Sequence, residues 1–518
     1  VIDLRVKNYA VNQLLHGKIA MLGIGIIVFF AVMAGAAPLI AMTPPNQEWV
    51  AGPWAVPQWA TLLPQYRGLP PNLEAVPQEL SSWSILTAKG TSELPAQVIG
   101  DGSAFSGTGY AQNLGEGLLV DSNVTYSLAT FDGETVLNMT KSFYYGYKAP
   151  YDFKYGVLVY PVRAQGVQDF YFRFLLTSPS GKVYHLSSYA IMSNSFVEHI
   201  SYNNGVSLGT WTNVNLSNYL PDVNVAAFGP SGFTMANTGL VFFSQKGNYT
   251  YTVQLVVIPQ AGKTASVKLY LSAPYLFIMG RAYGPLGSDN KGRNLWSQFV
   301  YGSRISIEVG LVASAFTVVL GTFIGLFSAV QGGLSDELWM RVADVILVIP
   351  FLPLAIVLLF VMTQNPLIAR SLYLWLIVLF SVLSWPGLAR VIRSQALSLK
   401  ERGYVEAARA LGAGKYYIMN KHLLPNIMGL VYANLALSVP GFILTEASLD
   451  FLFPNASEIP TWGRMISKAY DHAASATIYG FGWWWFLFPG LAIVLLSLAF
   501  VLLGYSLDEI FNPRLRKR

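Results

Sequence analysis

The chain contains no cysteine among its 518 residues. That excludes a disulfide framework, a thiol nucleophile and a cysteine-based metal site. Charge is also scarce: Asp, Glu, Lys and Arg make up 12%, where soluble domains carry about a quarter. With 53% hydrophobic residues, this favours an integral membrane protein over a soluble one. Histidine is limited to His16, His185, His199, His422 and His472. They lie too far apart for an H-E-x-x-H site, so no metal is expected. The "AGKT" at 261–264 resembles the end of a phosphate-binding loop, but Val257 stands where that loop needs glycine. It reads as a hairpin turn. No paired carboxylates mark a span, and Glu308 and Glu446 fall at expected span ends, within reach of the interface. Nothing asks to be read as a catalytic centre, so an enzyme is not expected, nor a nucleic-acid partner.

What the chain has instead is long apolar runs. Six stretches are uncharged: Ile19–Met42, Val309–Ser335, Val345–Ala369, Ser371–Ala389, Leu423–Thr445 and Ala473–Leu507. Each approaches or exceeds the roughly 20 residues a helix needs to cross about 30 Å of hydrocarbon. The first is too long for a signal-peptide core and is read as a retained helix, although "AGAAP" resembles a cleavage site. The chain starts at Val1 rather than Met, consistent with trimming or processing.

Lys and Arg fall on one side of these runs. Arg5, Lys7, Lys18, Arg341, Arg390, Arg393, Lys400, Arg402, Arg409, Lys415, Lys421 and the terminal "RLRKR" share a side, against Arg370, Arg464 and Lys468 in the opposite short loops. The positive-inside rule then puts both termini in the cytoplasm of a multi-pass cell-membrane protein.

Between the first two runs lies sequence of another character. Residues 43–298 hold 14 basic and 14 acidic residues. "DFYFRFLLTSPSGKVYHLSSY" and "NYTYTVQLVVIPQAGKTASVKLYLSAP" alternate polar and apolar residues, as strands do, with "SPSG" and "QAGK" as turns. A β-rich extracellular domain is expected, most simply a β-sandwich. The sequons at Asn123, Asn138, Asn215 and Asn248 fall within it, and Asn455 falls in the last outside loop. Their one-sided placement makes them candidate N-glycosylation sites. The expected division is residues 1–45 for the N-terminus and first helix, 46–282 for the β-rich domain, and 283–518 for five further helices.

The stretch "EAARALGAGKYYIMNKHLLP", residues 406–425, is small, basic and polar between two apolar runs. Glu406 to Leu411 are helix formers, Gly412 can stop the helix at positive φ, and Lys415 to His422 can form a second short helix at an angle to the first. Glu406-Ala407-Ala408, then Gly412, then Leu424-Pro425 resembles the EAA motif of ATP-binding-cassette (ABC) importer permeases. "KHLLPN" is similar to the dipeptide/oligopeptide branch, as second permease of the pair. "LHGKIAMLGIGIIVFFAVMAGAAPLIA", "GPLGSDNKGRNLWSQFVYGSRISIEVGL", "LSWPGLARVIRSQALSLKERGYVEAARALGA", "ILTEASLDFL", "WWWFLFPGLAIVLL" and "NPRLRKR" extend the resemblance in order. Asp450 and Phe453 depart from the family's usual "SFLG".

The resemblance implies a six-helix permease fold plus the inserted β-rich domain. It also implies cytoplasmic coupling helices near 400–422, in which Glu406, Ala407, Ala408, Arg409, Gly412, Lys415, Leu424 and Pro425 meet an ATPase subunit. Pro386, Pro440 and Glu446 become candidate gate or pathway residues. The implied partners are a second permease, two ABC ATPases, an extracellular solute-binding protein and the lipid bilayer. ATP and Mg would sit in the ATPases, with no cofactor in this chain. The resemblance leaves peptide and oligosaccharide cargo both open. A membrane-anchored surface or glycan-processing protein with no ABC partner is the other reading, and the Glu406–Pro425 motif speaks against it.

Overall fold

One proline, Pro350, breaks an apolar run, whereas others lie inside continuous helices. In the computed structural model, the described residues are 17–76, 82–87, 96–99, 117–125, 135–186, 188–190, 195–197, 200–201, 212–217, 239, 242–260, 264–365, 368, 371–453, 459–471 and 482–511. They form two compact units, one of residues 1–47 with 294–518 and one of residues 48–293.

The helical unit contains α1 (Lys18–Gly35), α2 (Ala37–Ile40), α3 (Leu295–Gln331), α4 (Gly333–Val348), α5 (Phe351–Thr363), α6 (Leu372–Lys400), α7 (Gly403–Ala410), α8 (Lys415–Ile418), α9 (Leu424–Leu452), α10 (Trp462–Asp471) and α11 (Trp483–Phe511). Among the described residues, five helices are long and apolar enough to cross a membrane: α1, α3, α6, the continuous stretch Lys415–Leu452, and α11. A sixth crossing exists only if α4 and α5, bent by 84°, count as one. The apolar run over 345–369 is therefore part of this bent pair, not a single helix. Ile349 precedes Pro350 and is held extended (φ −72°, ψ 125°), so helix stops at Val348 and restarts in a new direction at Phe351. Pro386 and Pro440 lie inside α6 and α9 without breaking them.

The second apolar run is also longer than its hydrophobic part. Helix α3 begins at Leu295, where the Asn294 side chain accepts hydrogen bonds from the Trp296 and Ser297 amides. Glu308 thus sits within a helix of 37 residues, not at its end. Helices α3 and α6 pack closely: a Cβ on Gly325 would lie 2.5 Å from the Ala389 carbonyl oxygen. Only glycine permits that approach.

The inserted unit is the expected sandwich. One sheet runs β1 (Leu73–Glu74), β15 (Tyr275–Met279), β6 (Asp152–Gln165), β14 (Thr264–Ser272), β4 (Gly117–Thr125) and β3 (Ala96–Ile99), with β12 (Thr212–Ser217) also on β6. The other runs β11 (Ile200–Ser201), β7 (Val167–Thr177), β13 (Gly247–Pro259), β5 (Thr135–Tyr145) and β2 (Ser84–Thr87), with β8 (Val183–His185) on β7, while β9 (Ser188–Ala190) and β10 (Ser195–Val197) pair only with each other. Alternate residues of β5, β6, β7 and β13 point inward as an aromatic core that includes Tyr145, Phe153, Tyr155, Phe172, Phe174, Tyr249 and Tyr251. "SPSG" does turn β7 into β8, with Gly181 at φ +82°. The expected hairpin at "QAGK" is corrected: β13 pairs with β5 and β7, whereas β14 pairs with β4 and β6. Both edges of β13 are occupied, so the chain crosses to the opposite sheet. Residues 261–263 of that crossing lie outside the described residues.

The ends of the insert are tied to each other. The Trp49 amide donates to the Lys291 carbonyl (3.0 Å), Val50 to Gly292 (3.0 Å), Trp54 to Asp289 (3.0 Å) and Val56 to Arg281 (2.7 Å). Segment 283–293 therefore belongs with the insert, which moves the boundary expected at 282 to 293.

Candidate functional site: an exposed elbow and a polar groove

The elbow is built from a helix stop. Ala413 N–H donates to the Ala408 carbonyl (3.0 Å) and Gly412 N–H to the Arg409 carbonyl (2.9 Å). This bond pair is the Schellman stop, which needs a left-handed residue, and Gly412 supplies it at φ +87°. Val405 is fully buried and fastens α7 inward; Glu406, Ala407, Arg409, Gly412 and Lys415 are exposed, with Ala408 half-buried. Leu411, Tyr416 and Tyr417 also stand out in solvent.

Beyond the elbow, the expected second short helix is not separate. Helix α8 continues through a π turn, Met419–Leu423, into α9. Pro425 has no N–H to close the α-helical bond to the Lys421 carbonyl, and the wider π turn takes up the misfit. Leu424 and Pro425 are half-buried in the first turn of α9. His422 lies between the rings of Tyr404 (6.1 Å) and Tyr417 (5.7 Å).

Two lysines bind the elbow to the end of α3. Lys400 Nζ donates to the Ala329 carbonyl (3.0 Å), and Lys415 Nζ to the Gln331 carbonyl (3.3 Å) and side-chain Oε1 (3.2 Å). A helix C-terminus carries partial negative charge and unpaired carbonyls, which ammonium groups satisfy. Helix α6 is held to α4 by Arg393, which makes a two-point contact with Asp336 at 2.6 and 2.5 Å. Arg390 pairs with Asp344 nearby.

A groove of about 440 Å³ runs along α3, α5, α6 and α9. Ser384, Gly387, Asn434, Ser438, Gly441 and Thr445 make much of its wall. Asn434, Ser438 and Thr445 each donate to the carbonyl four residues back, so their oxygens remain available as acceptors. Pro386 and Pro440 each adjoin a groove glycine, Gly387 and Gly441. Sequence reading missed the groove. Its signal was small and polar residues at helical spacing, 384/387 and 434/438/441/445, inside apolar runs.

Glu446 is corrected. It does not reach an interface but is 1% exposed, with Oε2 accepting from Ser306 Oγ at 3.1 Å. It lines a smaller cavity with Asp450, Thr461 and Arg464. Of the sequons, Asn248 is exposed at the start of β13. Asn138 sits mid-strand, its Oδ1 accepting from Gln254 Nε2 at 2.8 Å. Asn123 and Asn215 lie on β4 and β12, and Asn455 lies outside the described residues.

A helical membrane unit whose rigid exposed elbow joins two groove-lining helices defines a transport subunit. Residues 321–517 match the model of the "binding-protein-dependent transport system inner membrane component" family. The chain is 33% identical to the dipeptide transport system permease protein DppC of Bacillus subtilis, covering 45% of this chain and 69% of that protein. It is 34% identical to the oligopeptide transport system permease protein OppC of Haemophilus influenzae, over 45% and 71%. Among solved structures it matches the module TmCBM61 in complex with beta-1,4-galactotriose, at 10% identity and TM-score 0.21, over 39% of this chain and 91% of that one. A likeness at that score carries no argument. The chain belongs to the binding-protein-dependent transport inner membrane permeases, of the dipeptide/oligopeptide type, with a large insert after the first helix. It is thus a multi-pass membrane transport subunit, not an enzyme.

Proposed function

We propose that the chain forms half of the path of an ABC importer for peptides, pairs with a second permease, and receives cargo from an extracellular solute-binding protein. The relatives' names, dipeptide and oligopeptide transport systems, support the cargo class. The observation that carries the coupling is the elbow. Helix α7 follows α6 after two residues, and α8 runs unbroken into α9, so one rigid piece holds the ends of both groove-lining helices. A push on Glu406–Lys415 from an ATPase subunit, which would hold the ATP and Mg, moves α6 and α9 together, whereas a slack loop would absorb it. The basic residues around Arg393–Lys421 support a cytoplasmic elbow and an extracellular insert. Of the two sequons whose exposure is described, Asn138 and Asn248, the exposed Asn248 is the better placed for a glycan.

The test replaces Gly412 with Pro and, separately, Glu406 with Lys in the assembled transporter. Both variants should reach the membrane yet lose uptake and cargo-stimulated ATP hydrolysis. Stimulated turnover at the wild-type rate in both would remove the coupling role.

A further inference from the structure

Two acidic side chains in the helical unit share one small cavity, Glu446 buried at 1% exposure and Asp450 half-buried. Glu446 and Asp450 are one turn apart on α9. Glu446 Oε2 takes the Ser306 hydroxyl of α3, yet Oε1 has no donor among the described residues. An ionised Asp450 has no hydrogen to give it. Asp450 Oδ2 already accepts from Thr461 Oγ1, which also caps α10 by accepting from the Arg464 amide. The cavity beside them holds about 20 Å³, room for one water. Ile305, Val309, Leu372, Leu376 and Phe453 make the rest of it mostly apolar.

The charges do not balance as drawn. Arg464 is the one cation among the lining residues and acts on Asp450. The other titratable group in the lining is Tyr373 of α6; α3 contributes Ser306 and no charge. Glu446 is left as an uncompensated buried anion beside another anion, an arrangement that two neighbouring carboxyl groups avoid by sharing a proton. Two carboxylates with one arginine are also too few ligands for a divalent metal.

We propose that Glu446 and Asp450 form a proton-binding site, with one exchangeable proton between their carboxyl groups closing the contact of α9 with α3 and α10. The proton turns the orphan oxygen into half of a hydrogen bond and leaves Asp450 and Arg464 as a neutral pair. Lost to a water in that cavity, it leaves two like charges one turn apart, and the outer turn of α9 loosens from Ser306 and Thr461. This site is independent of the cargo and of the ATPase coupling.

The full-length chain in lipid nanodiscs tests it by two measurements, with Glu446→Gln as the neutral isostere and Asp450→Asn as a second variant. Infrared difference spectra across an alkaline pH step should show a protonated carboxylic acid deprotonating in wild type, and that signal should vanish in both variants. The thermal midpoint of wild type should fall by a few degrees as the pH is raised, while Glu446→Gln lacks that component. The same infrared signal and the same pH dependence in Glu446→Gln as in wild type would overturn the site. So would a midpoint that follows sodium in place of choline at fixed pH and ionic strength and loses this response in Glu446→Gln. That result would assign the pair to a metal cation instead.

Discussion

Replacing Tyr155 with Phe should make the insert more stable and flatten its alkaline unfolding. Tyr155 is fully buried in the sandwich, its ring 5.2 Å from Phe174 and 5.8 Å from Phe153, and its hydroxyl has no partner among the described residues. A buried hydroxyl left unpaired costs about 1–3 kcal/mol. Phe keeps the ring, so the variant should gain about 1 kcal/mol at neutral pH after a small loss in packing. Burial, and secondarily the charge of Asp152, push the Tyr155 phenol far above its usual range. The folded state keeps a proton that the unfolded chain releases near pH 10. Stability is therefore whole below pH 10 and falls above it by about 1.4 kcal/mol per unit for each such tyrosine. Tyr251, shifted the same way by burial and then by Tyr155, adds a second equal slope. Between pH 10 and 11, where the slope is still developing, the wild-type insert loses about 2 kcal/mol from the pair and Tyr155→Phe about half of that. Urea unfolding of residues 48–293, followed by circular dichroism at pH 8, 10 and 11, reads both effects. A variant less stable at pH 8, or one with the wild-type alkaline slope, would refute the reasoning.

Three further outcomes are expected. Arg393→Ala leaves Asp336 without its two-point partner and should cost about 1.5–3 kcal/mol by thermal unfolding, with part of the loss recovered in the Asp336→Asn, Arg393→Gln pair. Gly325→Leu, with Ala389 in the way, should prevent α3 packing on α6 and abolish assembly, whereas Gly332→Ala, in open space at φ +61° and ψ −169°, should cost only about 1–3 kcal/mol. Single cysteines introduced at Lys415 and Lys246 report topology against a cysteine-free background: an impermeant thiol reagent should label position 246 and not 415 in intact cells, and the reverse would overturn the orientation.

Much of this architecture was legible because its causes are local. Alternation in "DFYFRFLLT" marks a strand whichever partner it finds, and Gly412 after "EAARAL" marks a helix stop by backbone sterics alone. The misses share a different cause. The crossing at "QAGK" depends on which edges of β13 are already taken, and the place of Glu446 depends on Ser306, 140 residues away. Hydropathy could not reveal that the apolar run over 345–369 turns through 84°, although Pro350 and Pro353 were visible. Groove residues such as Asn434 and Ser438 read as imperfections of a span until neighbouring helices bring them to one wall.

The tie between segments 48–56 and 281–292 has an evolutionary and a practical consequence. A domain whose two ends are clasped together by its own backbone can be spliced into a loop at a single point, as a bead is clipped onto a closed string. The host then needs no new path through the membrane, and relatives can carry or lack such a bead while sharing the same permease sequence on either side. For the same reason the clasp offers ready cut points for exchanging this domain, or for moving it into the corresponding loop of a relative that has none.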